Sequence, residues 1–307
     1  MPPTRRLLPA AVTATLLIAA LSGCATTPRT ATAGGGAVRV VAAENFWGSL
    51  AQQLGGSHAT VTSIINNPDA DPHDYEPTAA DGRAVATAQL AIVNGIGYDT
   101  WAGKLIDANP AGGRTVLTIG DLVGVKEGGN PHRWYSPADV RKVIDEITAD
   151  YKKIDPADAA FFDSQRDTVL KTNLKGYFDA IEQIKAGYAG TPVGASESIF
   201  ALLAPDLGLK LLTPDSFLTA ITEGTDPTAA DKATIDGQIT RKQIKVYVFN
   251  SQNATPDVQA QVDAAKAAGI PVTTITETLT PAGASFQDWQ VSQLGALKQA
   301  LALATGK

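Results

Sequence analysis

The chain has 307 residues, 44% of them hydrophobic, with 31 acidic against 25 basic side chains and a net charge of −6. A length of this order suits about two domains of usual size. The acidic balance argues against nucleic acid as a partner, which asks for a basic surface. Its single cysteine, Cys24, excludes any internal disulfide and any thiolate metal site, so a bound metal would have to use nitrogen and oxygen.

Residues 1–23 hold Arg5 and Arg6, then an apolar run from Leu7 to Leu21, and no acid, which is the layout of a secretory signal. Without them the net charge goes from −6 to −8, because two arginines leave with the segment. A membrane span needs about 20 apolar residues. This run of 15 contains Pro9 and two threonines, so it reads as an export signal rather than a permanent anchor helix. It ends Leu21-Ser22-Gly23-Cys24, which resembles the lipobox of bacterial lipoprotein processing, with Cys24 as the lipidated N-terminus. The alternative is an ordinary cleaved signal with a chance cysteine beside its cut site. Stable tethering takes more than one acyl chain, as a diacylglyceryl-type modification would supply. Residues 24–37, rich in small and polar residues and without a hydrophobic period, read as a flexible tether.

After the tether, strand-length apolar runs recur at Val38–Ala42, Thr60–Ile65, Leu90–Val93 and Thr115–Ile119, with helical patterns such as Phe46–Leu54 and Ala79–Ala88 between them. Such alternation implies a parallel sheet. From Pro156 to Tyr188 it gives way to one helical stripe, with Leu170, Leu174, Tyr177, Ile181, Ile184 and Tyr188 at steps of three or four. Asp155 is the expected N-cap, and Gly187 and Gly190 bracket the stop. Alternation then resumes, with strands at Pro192–Ala195, Leu209–Thr213, Lys245–Phe249 and Pro271–Ile275 and helices such as Pro256–Ala268. The expected architecture is α/β: a lobe at 38–154, a connecting helix at 155–190 and a second lobe at 191–307. The two halves show no clear sequence repeat.

Two of the three histidines share a setting, Asp71-Pro72-His73-Asp74-Tyr75-Glu76-Pro77 and Asn130-Pro131-His132-Arg133-Trp134-Tyr135-Ser136-Pro137. Each follows a proline and has an aromatic two residues on. Ser136, Pro137 and Asp139 form a helix start, so each histidine lies in a loop just ahead of a helix. Loops at the carboxyl ends of strands in open α/β sheets are where ligands bind. A lone loop histidine is more often structural; the repeated setting favours a metal ligand for His73 and His132. His58, in a helix–strand turn, reads as structural. The second half has no histidine, and its candidate donors are Glu197 and Glu277, which follow strand-like runs. Either could instead be a loop acid answering a helix dipole.

The segments Asp-Pro-His-Asp-Tyr-Glu-Pro-Thr-Ala-Ala-Asp (71–81), Val-Asn-Gly-Ile-Gly-Tyr-Asp-Thr-Trp (93–101) and Asn-Pro-His-Arg-Trp-Tyr-Ser-Pro (130–137) resemble motifs of the zinc/manganese substrate-binding lipoproteins of metal ABC importers. The resemblance runs from about residue 38 to the C-terminus. It implies two α/β lobes, a rigid connecting helix and a metal in the inter-lobe cleft, held by two residues from each lobe. His73 and His132 match the first two family ligands; Glu197 falls where many members have a third histidine, and Glu277 where most have an aspartate. Glu223, Asp226 and Asp288 are fall-back donors. A histidine-rich collecting loop found in some zinc-type members is absent, since 121–129 contains no histidine. Two imidazoles and two carboxylates suit zinc, iron or manganese rather than copper(I), and their charge of −2 offsets a divalent ion.

The function expected from the resemblance is capture of Zn2+ or Mn2+ by a monomer on the outer face of the cytoplasmic membrane, held there through its lipid anchor, for an ABC permease. The rival readings are a metal-dependent hydrolase and a surface adhesion lipoprotein. Against the former, the chain lacks His-Glu-x-x-His, and Gly194-Ala195-Ser196-Glu197-Ser198 does not end in the glycine of a nucleophile elbow. Four protein ligands also leave no open position for water. The Cys24→Ala protein is expected to be released or mislocalised; unchanged membrane partition and fatty-acid labelling would refute the lipoprotein reading.

Overall fold

The computed structural model describes residues 36–68 and 75–307. The expected leader, Cys24, most of the tether and His73 lie outside the described residues. In chain order the elements are β1 (Val38–Glu44), α1 (Asn45–Gly55), β2 (Ala59–Ile65), α2 (Ala79–Thr87), β3 (Leu90–Val93), α3 (Thr100–Ala108), β4 (Thr115–Thr118), α4 (Ile119–Val123) and α5 (Pro137–Ile154). Then follow α6 (Ala159–Thr168), α7 (Lys175–Tyr188), β5 (Pro192–Ala195), α8 (Leu203–Asp206), β6 (Lys210–Leu211), α9 (Asp215–Thr222) and α10 (Ala229–Thr240). The chain closes with β7 (Val246–Asn250), α11 (Pro256–Ala267), β8 (Val272–Ile275) and α12 (Phe286–Thr305).

Two four-stranded sheets result, in the orders β2-β1-β3-β4 and β6-β5-β7-β8, with every neighbouring pair parallel. A central parallel strand is covered on both faces, and all of β1 except Arg39 is buried accordingly. Since the strand order reverses at the same place in both sheets, each has a switch point between its first and third strands, where the carboxyl ends diverge and leave a crevice. The expected strands are all present. β1 runs two residues further than its apolar run, to Glu44, whereas β6 is only Lys210–Leu211. Past Leu211 the ladder is continued by Leu212 N–H donating to the Val193 carbonyl, and the Thr213 hydroxyl then accepts from Ala195 N–H at 2.9 Å.

The segment from Pro156 to Tyr188 is helical except at the turn residue Leu174, but it is not one uniform α-helix. A 3-10 turn, Pro156–Asp158, leads into α6, and a π turn, Val169–Asn173, separates α6 from α7. Asp155 makes no side-chain cap hydrogen bond. The π turn has a packing reason. Val169 and Leu174 are fully buried whereas Leu170 is only half-buried. A five-residue step between two core positions overshoots an α turn, and the wider hydrogen bond from Leu174 N–H to the Val169 carbonyl absorbs the extra residue. The stripe therefore enters the core through Val169, not Leu170.

One apolar cluster runs through β1 and β3, the helices α5 to α7, β5 and β7, and α12. Its centre is aromatic: Phe46 stacks on Trp134 at 3.9 Å between ring centroids, and Tyr135 meets Trp289 edge-on at 5.7 Å. The Tyr135 hydroxyl donates to the Thr276 carbonyl at 2.8 Å, and Trp289 Nε1 donates to Thr276 Oγ1 at 2.8 Å. Tyr135 from the first half and Trp289 of α12 thus brace the loop after β8. Replacement of Trp134 by alanine should cost about 3–5 kcal/mol. With a shared core, the loss should appear as one denaturant transition at a lower midpoint rather than two separate transitions.

Candidate metal centre

His132 is reached from β4 through α4 and a loop. Pro131 and the 3-10 turn Arg133–Tyr135 lead it into α5, whose N-cap Ser136 accepts from Asp139 N–H, with Pro137 at the first helical position as its sequence predicts. The imidazole is fully buried. Its Nδ1 lies 2.9 Å from Asn130 Oδ1 and 3.3 Å from Ser198 Oγ. The orientation of the Asn130 amide is set from its other side, where Nδ2 donates to the Ser198 carbonyl at 2.7 Å. Oδ1 is therefore the face turned to the histidine, Nδ1 carries the proton, and the Nε2 lone pair faces Glu197 Oε1 at 3.7 Å.

Glu197 leaves the end of β5 in extended conformation, and Glu277 stands two residues past β8. Both are buried. One donor links them: Asn250 Nδ2, at the end of β7, gives 2.8 Å bonds to Glu197 Oε2 and to Glu277 Oε1. Gln252 N–H donates to Asn250 Oδ1 at 3.0 Å and so keeps the NH2 turned toward the acids. Tyr98, from the first half, donates to Glu277 Oε2 at 2.9 Å. Gln252 Oε1 accepts the Glu277 N–H at 2.6 Å while its Nε2 donates to the Pro68 carbonyl. Asn253 and Thr222 complete the shell of Glu197.

One ligand atom each from His132, Glu197 and Glu277 lies within 4.8 Å of the others. Two carboxylates this close and this dry oppose each other's ionisation. Burial first, and the Glu277 charge second, push the Glu197 carboxyl up to about 8, against the pull of Asn250, Asn253 and Thr222. The Tyr98 phenol is raised well above its ordinary value by burial and by Glu277, so it stays a donor. The group opens onto a cleft of about 1230 Å³ between the two sheets' loops, lined among others by Tyr98, Asn130, Ser198, Thr222 and Asn253.

The structure brings together three of the four expected site residues; the fourth, His73, is among the undescribed residues. The helix after it, α2, does start as its loop implies, with a reciprocal capping box between Thr78 and Asp81. Of the fall-back donors, Glu223 lines the cleft but is exposed, Asp226 is exposed, and Asp288 lies in the first turn of α12, its carboxylate accepting from the hydroxyl of the N-cap Ser285. His58 bonds Asp158 at 2.6 Å and packs on Phe161, a structural use, although Asp155 is also within reach of the pair. Sequence reasoning missed Asn250, Asn130 and Gln252, whose only local signal is an amide beside a strand end or a histidine. The Asn250→Ala protein should lose about 1–3 kcal/mol of metal-free stability at pH 8 through its unsupported acids. At pH 5 the loss should shrink, because protonated carboxyls can bond each other; equal loss at both, by urea unfolding, would refute the bridging role.

The family described as "ZnuA: Zinc-uptake complex component A periplasmic" matches residues 40–300. The zinc-binding lipoprotein AdcA of Streptococcus pneumoniae is 26% identical over 283 residues, 81% of this chain and 52% of AdcA. The chain spans about half the length of the first curated relatives it matches. The manganese-binding lipoprotein MntA of Bacillus subtilis is 25% identical over 276 residues, 83% of this chain and 84% of MntA. In fold, a periplasmic metal binding protein from Candidatus Liberibacter asiaticus is similar with a TM-score of 0.69 at 18% identity, covering 85% of this chain and 98% of that one. A crystal structure of ZnuA has a TM-score of 0.69 at 19% identity, covering 87% and 99%. With its two parallel sheets and a match over most of its length, the chain belongs to the ZnuA family of zinc-uptake components.

Proposed function

We propose that this protein is an exported, lipid-anchored solute-binding protein that captures Zn2+ or Mn2+ as cargo for the permease of an ABC importer. The observation that carries the reading is the buried group of His132, Glu197 and Glu277, drawn from loops of both sheets into 4.8 Å of one another. His73 is proposed as the fourth ligand. AdcA and MntA, named for zinc and manganese respectively, support this ligand class. Anchoring is assigned to Cys24. Among the described residues no helix is long and apolar enough to cross a membrane.

An ion in this pocket replaces a proton. A carboxyl raised to about 8 keeps its proton at neutral pH, and a divalent ion needs the carboxylate. The oxygen-rich set narrows the gap between zinc and manganese relative to three imidazoles without inverting the divalent series.

Metal should raise the melting temperature, through roughly 4 kcal/mol of linkage at a thousandfold excess over Kd. The sign of its pH dependence follows from Glu197. Its raised folded-state pKa makes metal-free stability fall as pH rises from the ordinary glutamate range to about 8, while metal affinity climbs over the same window. The shift with zinc or manganese should therefore be larger at pH 8 than at pH 6, with a proton released per ion in weak buffer at pH 7. Glu197→Ala should lose most of the shift. A wild-type protein that shows no shift with either ion would refute the proposal.

A further inference from the structure

The two sheets repeat more than their strand order. Ala42 of β1 pairs with Ile92 of β3, and Ala195 of β5 pairs with Val248 of β7. Counting two residues on from these pairs sets Glu44, the last residue of β1, against Asn94, which follows β3, and Glu197, which leaves the end of β5, against Asn250, the last residue of β7. The sequences around the acids correspond, Ala42-Ala43-Glu44-Asn45-Phe46-Trp47 against Ala195-Ser196-Glu197-Ser198-Ile199-Phe200. Each switch point therefore carries a glutamate at or just past the end of its first strand and an asparagine at or just past the end of its third. In the second sheet this pair belongs to the proposed ion site. In the first sheet the asparagine positions the histidine loop, since Asn94 Nδ2 donates to the Pro131 carbonyl at 3.0 Å and its Oδ1 accepts from Trp47.

Glu44 is fully buried, and neither of its oxygens has a hydrogen-bond donor among the described residues. The charged group that bears on it is the carboxylate of Asp99, followed by the Tyr98 phenol on the same turn, while its register neighbour in β2 is the apolar Ile65. Asp99 already accepts from Asn94 N–H and Gly95 N–H, each at 2.7 Å. Two buried carboxyls can touch only with a proton between them. Asp99, with two N–H donors, is the better anion, so the proton resides on Glu44. The turn that Asp99 clamps needs the help: Gly95, Ile96 and Gly97 all have left-handed φ, at 72°, 60° and 82°, and for Ile96 that conformation is unfavourable. The next residue is Tyr98, whose hydroxyl reaches Glu277 across the cleft.

We propose that Glu44 is a positioning residue for the ion site: as a neutral acid it donates a hydrogen bond to Asp99, locking the left-handed turn that aims Tyr98 at Glu277. The affinity consequence rests on the metal-binding reading; the proton on Glu44 does not. The groups that would compete for this proton are Asp99 beside it and, through Tyr98, Glu277 and Glu197.

The test uses the full chain in detergent, with Glu44→Gln, which keeps the donor and cannot ionise, and Glu44→Leu, which fills the space without donating. Metal-free melting is followed from pH 5 to pH 9. Above the ordinary glutamate range the wild type loses stability through Glu44 by roughly 3 °C per pH unit, and the glutamine variant has no proton there to lose. The difference between Glu44→Gln and wild type should be smallest at pH 5 and widen with pH until Glu44 ionises. A difference that stays flat overturns the assignment of the proton. Manganese titration at pH 7.5 should give a Kd for Glu44→Gln within about threefold of wild type, and one weakened about tenfold or more for Glu44→Leu. Wild-type affinity in the leucine protein, or equal loss in both, overturns the positioning role. If wild type itself takes up no manganese or zinc, the metal reading fails, and the melting series still decides where the proton is.

Discussion

The structure is organised around two buried carboxylates that face each other across one amide. Unpaired, a pair of like charges within 4.8 Å would repel by about 3–4 kcal/mol at an effective dielectric near 20. The fold meets this with a single NH2, that of Asn250, shared between Glu197 and Glu277, and with the Tyr98 hydroxyl from the opposite lobe. These donors hold the acids at a separation that suits a cation but do not neutralise them, and the high pKa of Glu197 records its burial first and the remaining repulsion from Glu277 second. Such a pocket has an intrinsic appetite for positive charge, supplied by protons or by a divalent ion.

Both sheets use their switch points for this purpose, in different ways. In the second sheet the crevice presents its glutamate and asparagine directly to the group. In the first, the corresponding asparagine supports the loop bearing His132 and the corresponding glutamate lies buried against Asp99. One backbone pattern serves once as ligand support and once as scaffold, because the donors around each glutamate differ.

Contacts between the halves are of two kinds, and both limit their relative motion. The aromatic seam of Phe46, Trp134, Tyr135 and Trp289 belongs to a core common to both sheets. Polar bridges at the cleft, from Asn130 to the Ser198 carbonyl and from Gln252 to the Pro68 carbonyl, tie loop to loop. Packed interiors resist shear far more than hydrogen-bonded loops do.

The alternation of strands and helices is legible residue by residue along the chain, because hydrophobic period and length are local properties of a segment. The sequence by itself also marked His132, Glu197 and Glu277, since each follows a strand-like run or precedes a capped helix, and those are the places where side chains reach a crevice. The tertiary structure alone decided that these three converge, as strands distant in the chain meet only through the sheet register. It decided too that Asn250 bridges the acids, that Val169 rather than Leu170 enters the core through a π turn, and that Glu44 repeats the position of Glu197. An amide or a buried acid has no meaning in a linear pattern. Its role depends on which donors the fold brings within 3 Å, and that is a property of packing rather than of neighbours in sequence.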